Sequence, residues 1–157
     1  MRILNIIFII ICFSSVTYGQ NLSGITDKVK FHVLRLKPGE DLRLALENYA
    51  KDKKIKAGSI VTCVGSLLSI NLRTANQNKE MFLKGPMEIV SLTGTISMNG
   101  VHLHLAASDK DGKTIGGHLV KGNKVYTTAE IVVAELEGLE FKRETDKQTT
   151  YKELFIY

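Results

Sequence analysis

The dipeptide Asn99-Gly100, set between two runs of alternating apolar and polar residues, constrains this chain more than any other feature. Asn and Gly both tolerate the positive φ of a type I′ turn, whose twist matches that of the strands it joins. The spacing therefore predicts a hairpin, with Glu88 to Met98 as one arm and Val101 to Ser108 as the other. A two-residue turn writes out the register. Met98 faces Val101, Ser97 faces His102, Ile96 faces Leu103, Thr95 faces His104 and Gly94 faces Leu105. Side chains alternate across a strand, so Ile96, Met98, Val101, Leu103 and Leu105 are expected on the core face. Thr93, Thr95, Ser97, His102 and His104 then share the other face.

That second face is where chemistry is expected. A His-x-His pair on one strand puts both rings on one side, roughly 7 Å apart at the backbone. His118 is a third candidate, because it follows Gly116-Gly117, where missing side chains permit close approach of backbone or ligand. Three imidazoles with an open position form the kind of zinc site that takes water or an outside ligand. Asp109 and Glu130 are candidates for a fourth ligand or for a carboxylate that orients a ring. His32 stands alone on a strand and is read as structural or exposed. Gly116-Gly117 is no phosphate loop, since neither a Lys-Ser/Thr pair nor a G-x-G-x-x-G spacing accompanies it. Ser66 follows Gly65 without a G-x-S-x-G elbow, so nothing marks it as a nucleophile.

The rest of the chain reads as one domain. Phe31 to Leu36 is strand-like, and Lys37-Pro38-Gly39-Glu40-Asp41 turns into a helix on which Leu42, Ala45, Leu46, Tyr49 and Ala50 fall at helical spacing. Strands are expected over Ser59 to Val64, Leu67 to Ala75, Thr114 to Val120 and Val125 to Glu135, with a last strand or two between Phe141 and Tyr157. The fold class this implies is α+β: a mostly antiparallel sheet packed with one main helix. Val33, Leu34, Leu42, Leu46, Ile60, Val61, Val64, Ile96, Leu103, Leu105, Ile131 and Val133 are the expected buried positions.

The first residues have the layout of a secretory signal: Arg2, an apolar run from Ile3 to Phe13, then small and polar residues to Gly19. The run is shorter than the ~20 apolar residues a spanning helix needs. Cleavage between Gly19 and Gln20 is expected to leave residues 20–157 as the domain, exported to the periplasm or the medium. It would remove Cys12 and leave Cys63 alone in the apolar run Ile60 to Val64, where an internal disulfide is impossible and a small buried hydrophobe is the expected role. The net charge is +5 and the isoelectric point about 9.2. The lysines are scattered, apart from Lys51 to Lys56 at the end of the expected helix. A modest basic excess of this kind suits a solvated surface, an anionic envelope or nucleic acid.

Several motifs stand together in order. They are Val64-Gly65-Ser66-Leu67, Arg73, Ser91-Leu92-Thr93-Gly94-Thr95, His102-Leu103-His104-Leu105, Asp109-x-Asp111-Gly112, Gly116-Gly117-His118-Leu119, Thr127 to Val132, Phe141-x-Arg143 and Tyr151 to Leu154. Their order and spacing resemble the plants-and-prokaryotes-conserved (PPC) domain family in its stand-alone bacterial and archaeal form, from Phe31 to Ile156. The resemblance implies a curved sheet against a helix, assembly as a trimer, and a metal, zinc by expectation, on His102, His104 and His118. The plant members add a basic Arg-Gly-Arg-Pro segment that enters the minor groove, and this chain lacks one. The expected function is thus an exported trimeric metal-binding module for a small ligand or protein partner. Alternatives are the DNA binding that the family label suggests and a zinc-dependent hydrolytic enzyme.

Overall fold

The computed structural model describes residues 23–157, so the signal-like segment lies outside the described residues. The chain runs β1 (Val29–Leu36), α1 (Leu42–Asp52), β2 (Gly58–Arg73), β3 (Glu80–Ser97), β4 (Gly100–Ser108), β5 (Thr114–Leu119), β6 (Val125–Leu136), β7 (Phe141–Thr145) and β8 (Lys152–Ile156). Six strands form one sheet in the order β1-β6-β2-β3-β4-β5, and β5 also pairs with β2. That extra pairing closes β2, β3, β4 and β5 into a ring. The hairpin β7-β8 stands as a separate two-stranded sheet. Every pairing is antiparallel.

The α+β expectation is not met. Among the described residues one 11-residue helix accompanies eight strands, and they form a small β-rich domain. The helix forms where its spacing placed it. Asp41 caps it by accepting a hydrogen bond from the Leu44 N–H at 3.1 Å, and Leu42, Leu46 and Ala50 form its buried stripe. It is too short to cover the sheet. Because β2 and β3 are 16 and 18 residues long, the sheet curls and packs its own apolar face inward. Leu67, Ile70, Leu72, Leu92, Leu103, Leu105 and Leu119, all nearly inaccessible, fill that interior.

The predicted hairpin exists, with a shifted register. Ile96 faces Val101, Thr95 faces His102, Gly94 faces Leu103 and Thr93 faces His104. The reversal is made by Met98 and Asn99, and Gly100 takes the positive φ of 133° at the start of β4. The expected pairs are therefore off by two residues. Since side chains repeat every two residues, this slip leaves the faces intact, whereas a slip of one would have inverted them. Two residues near the turn do change: Met98 is exposed, and Ser97 is buried under the Phe141 carbonyl, to which its Oγ donates at 3.1 Å.

Most expected core positions are buried, but Val33, Val61 and Val64 are 79%, 54% and 53% exposed, and Leu34 is half-buried. The three exposed valines lie on the outer surface of the sheet. Val33 stands opposite Val132, and Val64 opposite Glu130. Their runs are apolar on both faces, a pattern from which sequence alone cannot tell the inner face from the outer one.

Candidate metal centre

The site is assembled from two paired strands, β4 and β5, around His102, His104 and His118. His102 and His104 project from the same side of β4, and β5 lays His118 directly opposite His104 in register. Two glycines make this arrangement possible. Gly94, at φ 134°, lets β4 come so close that a Cβ there would sit 2.0 Å from the His102 carbonyl oxygen. A Cβ on Gly117 would sit 2.8 Å from the Arg73 carbonyl oxygen, so its absence lets β5 pair with β2 as well as with β4. Gly116 neighbours Ala106.

One ring nitrogen from each histidine lies within 4.8 Å of the others. His102 Nε2 is 3.2 Å from His118 Nδ1 and 3.3 Å from His104 Nε2. Ligand nitrogens of a tetrahedral zinc ion, at bonds of ~2.05 Å, stand about 3.3 Å apart, so the donor set fits that ion. Hydrogen bonding alone accounts poorly for the contacts. A ring nitrogen offers one N–H or one lone pair, so His102 Nε2 cannot donate to one neighbour and accept from the other. A cation that receives a lone pair from each ring removes the conflict.

Burial and nearby positive charge favour the neutral form of His102 and His118. Burial lowers the pKa of His102 below its ordinary 6.5, and Arg143, the neighbouring His104 and Arg73 push the same way against a raising effect of Glu153. His118 is lowered by burial first, then by Arg73 and the other two histidines. Neutral imidazoles are the form that binds metal.

The other sequence candidates lie elsewhere. Asp109 Oδ1 accepts from the Asp111 and Lys113 N–H groups at 3.0 and 2.9 Å, which makes it the organiser of the β4-β5 turn. Glu130 sits on β6, which β2 and β3 separate from β4. Neither belongs to the histidine cluster found among the described residues. Ser66 is buried and shares a 2.7 Å hydrogen bond with Thr127, beside Gly65, which pairs with Ala129. His32 is buried too, bonded to Tyr49 Oη at 3.1 Å and to Glu135 at 2.8 Å, so its role is structural.

Beside the histidines opens a cleft of about 780 Å³, walled by Arg73 on β2, His102, His118, and Arg143, Lys152 and Glu153 of the β7-β8 hairpin. Sequence reading attached Arg73 and Arg143 only to family motifs. Nothing in the local pattern around Phe141 to Tyr157 says where that hairpin docks.

With this geometry in view, comparison with known proteins is decisive. The sequence profile of the Plants and Prokaryotes Conserved (PCC) domain matches residues 25–137. The chain belongs to that family. Among solved structures, a hypothetical protein of Salmonella cholerae-suis is 38% identical to this PCC domain, with a TM-score of 0.83, covering 85% of this chain and 96% of that one. A metal-containing protein from Archaeoglobus fulgidus is 30% identical with a TM-score of 0.73, covering 84% and 99%. A protein of Bacteroides thetaiotaomicron described as a candidate DNA-binding protein shares the fold at 24% identity and a TM-score of 0.70, covering 81% and 95%. The PCC domain is also 44% identical over 131 residues to a bifunctional protein GlmU of Synechococcus, matching 83% of this chain. It spans about a fifth (21%) of that relative's length.

Proposed function

We propose that this PCC domain is a metal-binding module in which His102, His104 and His118 hold one zinc ion and leave a position for an outside ligand. The observation that carries this reading is the convergence of three ring nitrogens, with His102 Nε2 at 3.2 and 3.3 Å from the other two, close to the ligand spacing of a tetrahedral zinc ion. The metal-containing relative from Archaeoglobus fulgidus supports it. An all-imidazole donor set suits zinc among the available ions, although it would also accept copper or nickel. Once bound, zinc would act as a Lewis acid toward an oxygen of that ligand. The test is elemental analysis of protein purified without a metal-affinity tag and supplemented with zinc. About one zinc per chain is expected, falling to near zero in His102→Ala/His104→Ala. Equal zinc in wild type and variant would defeat the reading.

We infer further that the domain works as an exported homotrimer. The outer sheet surface carries Phe31 at 62% and Val33 at 79% exposure, beside Val61 and Val64, an apolar face that a second copy would cover. Export is argued from residues 1–19, and N-terminal sequencing of the protein recovered outside the cytoplasm should begin near Gln20.

A second reading is nucleic-acid binding, favoured by the isoelectric point of about 9.2 and by the description of the Bacteroides neighbour. It requires an affinity for duplex DNA that falls steeply with salt. Absence of binding at low salt would remove it.

A further inference from the structure

The arginines of the histidine cleft have no role in holding a metal, and their situation is unusual. Arg73 and Arg143 are both half-buried, and neither has a carboxylate within 4 Å among the described residues. Arg143 is held in place by donating to the Lys152 carbonyl oxygen. Arg43, on the same cleft, is by contrast neutralised by Glu47 at 2.8 Å. Lys152 adds a further positive charge to the wall, and Glu153 is its one carboxylate. A divalent ion on the histidines would raise the positive excess again. Partly desolvated charge of one sign is costly unless an opposite charge arrives.

Guanidinium groups are suited to that partner, because their planar fork matches the two oxygens of a carboxylate or phosphate. The cleft volume of about 780 Å³ falls within the range usual for small-molecule sites. We infer that the cleft binds a small molecule through an oxyanion, a carboxylate or phosphate group, held by Arg73 and Arg143 within reach of the His102–His118 edge of the metal centre. Only the link to the metal rests on the zinc reading. The arginine contact does not.

Titration calorimetry of the full-length zinc-loaded protein with inorganic phosphate and with malonate tests the inference. Both anions are expected to bind, and Arg73→Gln and Arg143→Gln should each weaken them about tenfold or more. Arg73→Lys should recover part of the loss, because it restores charge but not the fork. Circular dichroism and zinc content of the variants, both unchanged, show that the fold and the histidines survive. One zinc per chain with no anion binding, or with binding indifferent to both arginines, overturns the cleft inference and leaves the zinc reading standing. Arginine-dependent phosphate binding by a protein that takes up no zinc supports the cleft and removes the metal. Displacement of phosphate by duplex DNA at far lower concentration would overturn the small-molecule reading in favour of nucleic acid.

Discussion

At the scale of single residues, burial and neighbouring charge set reactivity. Burial pushes the Cys63 thiol up to about 12, so almost no thiolate exists at neutral pH. Cys63 should resist iodoacetamide at about pH 8 in the folded protein and react once urea unfolds it. Rapid labelling of the native protein would contradict its place in the core. His102 and His118 are shifted the other way, below their ordinary 6.5. Protons compete with metal only where a ring takes up charge, so competition at His102 and His118 should set in only below their ordinary 6.5, and zinc affinity should fall as the pH drops through the lowered values. Zinc titrations from about pH 8 downward check the sign, and an affinity already falling at about pH 7.5 would count against neutral rings. The three histidines were legible in the sequence because two of them lie two apart on an alternating strand and the third follows a glycine pair. The arginines were not, since Arg73 and Arg143 are 70 residues apart and meet only through the docking of a hairpin.

At the scale of elements, the hairpin β3-β4 carries the site. The alternation in Val101 to Ser108 determines which face each side chain takes, and the structure keeps those faces. The partner of each residue depends on the turn, and there Gly100 rather than Asn99 takes the positive φ. Replacing Gly94 with Ala would set a Cβ against the His102 carbonyl at a φ of 134°. Strain of this kind costs about 3 kcal/mol. Urea unfolding should show that loss, and the zinc content should drop with it because the strand bearing His102 must move. An alanine variant with wild-type stability and zinc would mean that the close approach is dispensable. The helix was equally legible from its stripe of Leu42, Leu46 and Ala50, yet its presence misled on fold class. A single amphipathic helix implies a sheet to cover, and the closure of β2 on β5, which lets the sheet cover itself, is a long-range pairing with no local signature.

At the scale of the whole molecule, the misplaced valines carry information. Val33, Val61 and Val64 were expected inside because their strands are apolar on both faces, and the isolated chain leaves them in water. In the trimer we propose, further copies of the chain would cover this outer apolar surface. Light scattering at micromolar concentration should give a trimer, and Phe31→Asp/Val33→Asp should shift it to monomer, because two carboxylates would have to be buried unpaired. A monomeric wild type would contradict the assembly. The metal centre itself is tested most directly by X-ray absorption at the zinc edge on the loaded, untagged protein. Three imidazole nitrogens at about 2.0–2.1 Å, with a lighter-atom ligand completing four-coordination, are the expected shell. Zinc surrounded by sulfur, or by oxygen without imidazole, would contradict a centre built from His102, His104 and His118.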